Sequence, residues 1–239
     1  MRRTLPPMEY RTLTVLMPVF NEQATVKEII SRCLLVDLPL DVDLVIVNDG
    51  SSDDTAGVLR GLDDRRVRVL DHPVNKGKGA ALRTGLAAAT GDLVIVQDAD
   101  LEYDPSDWRL LLEPVLAGRA VVVYGNRFAG QGQNMSGLHW LGNRFLSLVT
   151  SVLYLKRLGD METCYKLFDR RVLQPIHVVS DRFDFEPEIT AKVLRQGYDI
   201  VEVPISYAGR EFHEGKKITW RDGFGALRAL VRFRFSSKL

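Results

Sequence analysis

Four branched apolar residues, Leu93-Val94-Ile95-Val96, run directly into Gln97-Asp98-Ala99-Asp100. A run without polar alternation reads as a strand buried on both faces, and such strands belong to sheets covered by helices. Asp98 and Asp100 stand where this strand ends, so their carboxylates can converge on one cation. Carboxylate oxygens suit Mg²⁺ or Mn²⁺, ions whose shells commonly include substrate phosphate oxygens.

The first half of the chain repeats this grammar. Apolar runs at 13–19, 42–47, 67–70 and 120–124 read as strands. Between them, 21–36, 54–62 and 80–89 have helical spacing, with Asp53 placed to cap the second and Ser106 to start a fourth. Alternating strand and helix predicts an α/β fold with a mostly parallel sheet flanked by helices. In such sheets ligands bind at the carboxyl ends of the strands, near a switch in strand order. Four loops fall there: 18–22, 48–52, 75–79 and 98–100.

After residue 125 the pattern changes. Helices are expected at 138–155, 185–196 and 220–235, an irregular segment at 160–168, a strand at 199–203 ending at Pro204, and a charged loop at 209–217. The chain reads as one domain over 1–239. Residues 11–125 form its alternating strand-and-helix half, which should carry the ligand-binding loops, and 126–239 an extension ending in an amphipathic helix.

Net charge is +1, which gives no argument for nucleic acid. The end is basic, with eight Lys/Arg against three acids from Gly209 onward, a pattern suited to phosphate or an anionic membrane surface. Cys33 and Cys164 have no metal spacing and suit a reduced, cytoplasmic protein, with Cys164 a packed thiol. The apolar run after Arg2 and Arg3 is a strand's length and holds Pro18, against a signal peptide. No stretch matches the ~18 apolar residues of a membrane span; Asn143 and Arg144 interrupt the nearest approach.

Taken together, the loops can bind a nucleoside diphosphate. Asp49 can accept hydrogen bonds from a base edge, Asp98 and Asp100 can hold a diphosphate through a metal, and Lys76 and Lys78 can neutralise it among glycines that permit close approach. Neither a Walker A loop nor a Gly-x-Gly-x-x-Gly fingerprint follows the first strand, so kinase and dehydrogenase readings fall.

The combination of Met17-Pro18-Val19-Phe20-Asn21-Glu22, Val47-Asn48-Asp49-Gly50-Ser51-Ser52-Asp53, Asn75-Lys76-Gly77-Lys78-Gly79 and Gln97-Asp98-Ala99-Asp100-Leu101-Glu102 resembles the inverting GT-A glycosyltransferases of family 2. Gly125-Asn126-Arg127-Phe128, Asp160, Phe185-Glu186 and the run from Tyr207 to Ile218 extend the resemblance to the branch of dolichol-phosphate mannose synthase and other polyprenyl-phosphate sugar synthases. The resemblance implies roles. Pro18, Val19, Glu22 and Asp49 line the base and ribose pocket, with Asn21, Lys78 and Ala99 in the donor-binding set. Asp98 and Asp100 meet the metal, Mg²⁺ or Mn²⁺, and Glu102 completes its shell. Arg127, Arg144 and Arg210 grip phosphates, with Lys216 and Lys217 nearby; Asp100, Arg127 and Arg210 are the catalytic set. This chain departs from the mannose synthases at Thr163-Cys164-Tyr165-Lys166, where those carry Ser-Gly-Phe-Arg or similar.

The activity implied is transfer of a hexose or N-acetylhexosamine from a nucleotide-diphosphate sugar to polyprenyl phosphate. A phosphate monoester is already ionised and needs no base, whereas a hydroxyl acceptor would. The alternatives are a hydroxyl acceptor with Asp160 or Glu186 as base, or a non-catalytic nucleotide-sugar- or lipid-binding subunit. The expected setting is the cytoplasmic face of a membrane, held peripherally or with an integral-membrane partner.

Overall fold

A computed structural model describes residues 3–130, 137–209 and 220–236. Seven strands form one sheet in the order β3-β2-β1-β4-β6-β5-β7. They are β1 (Thr12–Val19), β2 (Asp41–Asn48), β3 (Val67–Asp71), β4 (Leu93–Val96), β5 (Val122–Asn126), β6 (Lys166–Asp169) and β7 (Val201–Pro204). Every residue of β4 is buried, as its uninterrupted branched sequence requires. β1 lies between β2 and β4, both parallel to it, so the strand order switches beside β1.

The sheet is not parallel throughout. β6 runs antiparallel to both β4 and β5, Ile95 opposite Leu167 and Val123 also opposite Leu167. Residues 160–168, read as irregular, therefore end in a central strand. Because β6 is reversed, the loop that enters it lies at the carboxyl edge of β4 and β5, beside the DxD segment.

The helices are α1 (Val26–Leu35), α2 (Thr55–Arg60), α3 (Lys78–Ala88), α4 (Trp108–Leu116), α5 (Gly137–Tyr154), α6 (Arg170–Leu173), α7 (Phe185–Arg195) and α8 (Trp220–Phe235). α1 buries Val26, Ile29, Ile30 and Cys33, the face its spacing predicts, but starts five residues later than 21. Residues 21–25 instead join the loop over the sheet. α2 starts at Thr55; Asp53 accepts from the Thr55 N–H at 3.0 Å and the Gln23 N–H at 3.2 Å, tying two loops as well as opening the helix. α5, α7 and α8 pack together: the Tyr154 hydroxyl donates to the Leu230 carbonyl at 2.8 Å and Arg195 to the Phe233 carbonyl at 2.9 Å. Among the described residues no helix is long and apolar enough to cross a membrane.

Candidate active site

The carboxyl ends of β1, β2 and β4 carry Pro18 and Val19, Asp49, and Asp98 through Asp100. Hydrogen bonds knit these loops into one wall. Asn21 adopts a left-handed φ of 52°, a conformation asparagine tolerates, and exchanges hydrogen bonds with Ser51 and Ser52 after β2. The Thr25 hydroxyl meets the Glu22 carboxylate at 2.9 Å and the Ala99 carbonyl at 3.0 Å, so the loop after β1 is joined to the DxD loop.

Asp49 is turned inward. Its carboxylate accepts from the Lys76 N–H at 2.9 Å and the Gly77 N–H at 2.7 Å, and it lies 2.6 Å from His72 Nδ1. It thus shapes the loop before α3. Gly50 has φ +67°, and a Cβ there would collide with the backbone of Val74 and Asn75, so the turn and the close approach both require glycine. The glycines at the start of α3 serve a different approach from the one expected. A Cβ at Gly79 would strike the Ser180 carbonyl, and the Ala80 N–H donates to the Asp181 carbonyl at 3.1 Å. They admit the 180–182 backbone, which itself is pinned by Glu188 accepting from the Val179 and Ser180 N–H groups.

Lys78 bridges two acids: its ammonium lies 2.8 Å from Asp98 Oδ1 and 2.9 Å from Glu186 Oε1. Burial alone would lower its pKa, but Asp98 and Glu186 hold it well above the ordinary lysine value. The buried Cys164 thiol is pushed up by burial and by Asp98, so it is no thiolate nucleophile. Asp100 accepts from the Glu102 N–H at 3.2 Å, and Glu102 accepts from the Tyr207 hydroxyl at 2.8 Å.

No group of three His, Cys, Asp or Glu side chains among the described residues forms a ready metal cage. Asp98, Asp100 and Glu102 are close in the chain but engaged in different directions. The donor chemistry still fits a hard divalent cation, since Mg²⁺ is usually held by one or two carboxylates and completes its shell from substrate phosphates and water. Such a cation would meet Asp98 beside an ammonium already standing there.

On the other side of β6, Arg127 is spent on Asp160. Arg127 Nε and Nη2 donate to the two Asp160 oxygens at 2.7 and 2.8 Å, and the Arg127 backbone N–H adds a third bond at 3.0 Å. Both residues are buried. Burial opposes the charge on Arg127, and Asp160 overcomes it, raising its pKa well above the usual value. The guanidinium lies 5.8 Å from the Phe128 ring centre, and the exposed Arg144 lies 5.5 Å from the same ring. Phe128 therefore brings together two of the predicted phosphate ligands. Arg210, Lys216 and Lys217 lie outside the described residues.

Sequence reasoning missed Tyr103 and Glu162, and gave no role to Tyr165, Lys166 or Tyr207. Tyr103 joins Tyr165 and Tyr207 in an aromatic cluster with ring centres 4.8 and 5.2 Å away. Lys166, fully buried, donates to the carbonyls of Met161 and Thr163. Glu162 is held up to a pKa of about 8, first by burial and then by Glu186, against the pull of Lys166 and Arg127. The adjacency of Glu162 to Thr163-Cys164-Tyr165-Lys166 was the available signal, but it does not reveal burial.

The Glu162 shift has a measurable consequence. The unfolded chain releases this proton near the ordinary glutamate value, and the folded chain only near pH 8, so stability should fall as pH rises between them. Glu162→Gln should gain in melting temperature over the wild type as pH goes from 5 to 8. A wild-type-to-variant difference that stays flat across that range would refute the assignment. Lys166, lowered by burial to about 8, contributes above this window instead.

Residues 14–176 match the family model described as glycosyl transferase family 2. Among curated proteins, the undecaprenyl-phosphate 4-deoxy-4-formamido-L-arabinose transferase of Sodalis glossinidius (strain morsitans) is 28% identical over 216 residues, 88% of this chain and 64% of that protein. The protein of the same name from Erwinia tasmaniensis is 30% identical over 212 residues, 86% of this chain and 63% of its own length. The chain thus spans under two thirds of these relatives. Among solved structures, glucosyl-3-phosphoglycerate synthase from Mycobacterium tuberculosis, in complex with Mn²⁺, UDP-glucose and phosphoglyceric acid, superposes with a TM-score of 0.69 at 22% identity, covering 94% of this chain and 80% of that one. That likeness is one of fold, and it agrees with the GT-A architecture that the resemblance implies. On the match across most of its length, the chain belongs to glycosyl transferase family 2.

Proposed function

We propose that the chain transfers a hexose or N-acetylhexosamine from a nucleotide-diphosphate sugar to a polyprenyl phosphate, inverting the anomeric carbon. The observation that carries this reading is the state of Asp160 and Glu186, the two carboxylates that the sequence offers as a base for a hydroxyl acceptor. Asp160 is chelated by Arg127, and Glu186 is paired with Lys78. A carboxylate held in an ion pair out of water is a poor proton acceptor, because protonation would strand its partner's charge. An acceptor that arrives ionised avoids the need. The names of the two transferases above, which act on undecaprenyl phosphate, support the same acceptor class.

In this reading a lipid-phosphate oxygen attacks the anomeric carbon, and the bond to the nucleoside diphosphate breaks with its electron pair leaving on the diphosphate. Arg127, Arg144, Arg210, Lys216 and Lys217 gather the acceptor phosphate, clustered cations offsetting the repulsion between two anions. Pro18, Val19, Asn21, Glu22, Asp49 and Ala99 wall the nucleoside end, and Lys78 stands at the diphosphate. Mg²⁺ or Mn²⁺ held by Asp98, Asp100 and Glu102 would balance charge on the leaving group.

The acceptor also requires contact with a bilayer. α5 exposes Leu141, Phe145, Leu148 and Val152 along one side, and α8 exposes Phe224, Val231 and Phe235 among the exposed Arg228 and Arg232. Apolar stripes with flanking arginines suit the interface of an anionic membrane, here its cytoplasmic face. The test is a screen of UDP- and GDP-sugars with short polyprenyl phosphates, with and without Mg²⁺ or Mn²⁺, following the product by mass. A glycosylated lipid phosphate, formed only with metal, is the expected result. No product with any combination, or product only on a hydroxyl acceptor, would overturn the reading.

A further inference from the structure

The loop between α5 and β6 holds two polar atoms that the fold leaves unsatisfied. Glu162 Oε1 and Thr163 Oγ1 are both buried and make no hydrogen bond among the described residues. Thr163 is wholly buried, so solvent does not reach its hydroxyl. Buried side-chain polar atoms are nearly always paired, and two adjacent exceptions call for a partner.

Their place in the fold says where that partner would sit. Because β6 is antiparallel to β4, residues 162–165 run beyond the carboxyl end of β4. The Tyr165 hydroxyl donates to the Gln97 side chain at 2.7 Å, which anchors this loop beside Asp98. Glu162 lies within electrostatic reach of Glu186, Lys166, Arg127 and Asp160. It is therefore between the Lys78–Asp98–Glu186 cluster, at the diphosphate end, and the Arg127–Asp160 pair on the acceptor side.

The neighbours restrict the ligand's charge. An anion would meet Glu186 and Asp160. A cation would meet Lys166 and Arg127. A neutral hydroxyl meets neither objection, and it can donate to one orphaned oxygen while accepting from the other group.

We propose that Glu162 and Thr163 form a subsite for a hydroxyl of the transferred sugar, and that this pair sets which nucleotide sugar the chain accepts. The inference rests on the donor reading above. A site built to hydrogen-bond a hydroxyl strongly rejects analogues that cannot reach it, because its buried groups are then left unpaired.

The test is calorimetric binding of UDP-glucose, UDP-galactose, UDP-N-acetylglucosamine and GDP-mannose to the full chain in Mg²⁺, with UDP and GDP as sugar-free controls. Thr163→Val and Glu162→Leu should each weaken the preferred nucleotide sugar tenfold or more, leave the sugar-free nucleotide within twofold, and flatten discrimination among sugars. Glu162→Gln, which keeps a donor and an acceptor, should retain the preference. Thr163→Val should melt no lower than wild type, since it deletes a hydroxyl that makes no hydrogen bond among the described residues. Variants that discriminate as wild type does would overturn this inference alone. So would equal losses for UDP or GDP, or loss of turnover in Glu162→Gln with binding intact, which would mark Glu162 as a base. A wild-type chain that binds UDP or GDP but none of their sugars would overturn the donor reading and this inference together.

Discussion

Replacing Asp160 by alanine should destabilise the fold by about 3–5 kcal/mol, because it strands a buried guanidinium. Arg127 sends three hydrogen bonds into Asp160, which is fully buried. Asp160 is itself held in place, since Glu202 accepts from the Gly159 and Asp160 N–H groups at 2.7 and 2.8 Å. Total stabilities of domains are about 5–15 kcal/mol, so the loss would be a large share. Arg127→Met with Asp160→Leu should recover most of it, because an apolar pair of similar volume carries no desolvation cost. Urea unfolding of the single and double variants measures both effects. A single variant within 1 kcal/mol of wild type would mean that the pair is not buried as described. The double variant should still lose transfer if Arg127 also serves the acceptor phosphate.

The second large effect is expected at Asp100. Asp100→Asn should lower transfer by about 10²–10³-fold, the scale seen when one element of transition-state charge stabilisation is removed. Asparagine preserves the shape and can still accept from the Glu102 N–H, so the change is mainly one of charge. Initial rates across a Mn²⁺ titration test this. A variant retaining more than a tenth of the wild-type rate at saturating metal would remove Asp100 from the reacting diphosphate. Asp98→Asn should add a structural loss, because Asp98 also holds the half-buried Lys78.

The contrast between these two acids shows how far the sequence reaches. Asp100 is legible as a functional candidate from its position after a fully apolar strand, since strand ends in a parallel sheet are where ligands bind. Asp160 stands in a segment without periodicity, and only β6 gives that segment a place. β6 has four residues and begins with the buried Lys166, so neither length nor alternation marks it as a strand. Its charge is tolerated because backbone carbonyls of its own loop receive it, a contact between close residues that a pattern of types does not encode. The glycines at the start of α3 are a milder case. Their need for close approach was legible, but the approaching backbone is residues 180–182, about a hundred positions away.

Sequence alone determined the alternation of buried strands and amphipathic helices, the four loops at the carboxyl edge, and the residue types that could meet a diphosphate. Local rules suffice there, because periodicity and strand ends are properties of short stretches. Tertiary structure decided which charges are spent on one another: Asp49 on the loop before α3, Lys78 on Asp98 and Glu186, and Arg127 on Asp160. It also left buried polar atoms of Glu162 and Thr163, among others, without hydrogen-bond partners among the described residues. Pairing and burial depend on distances between residues far apart in the chain, and in a low-dielectric interior those distances govern both charge and proton affinity.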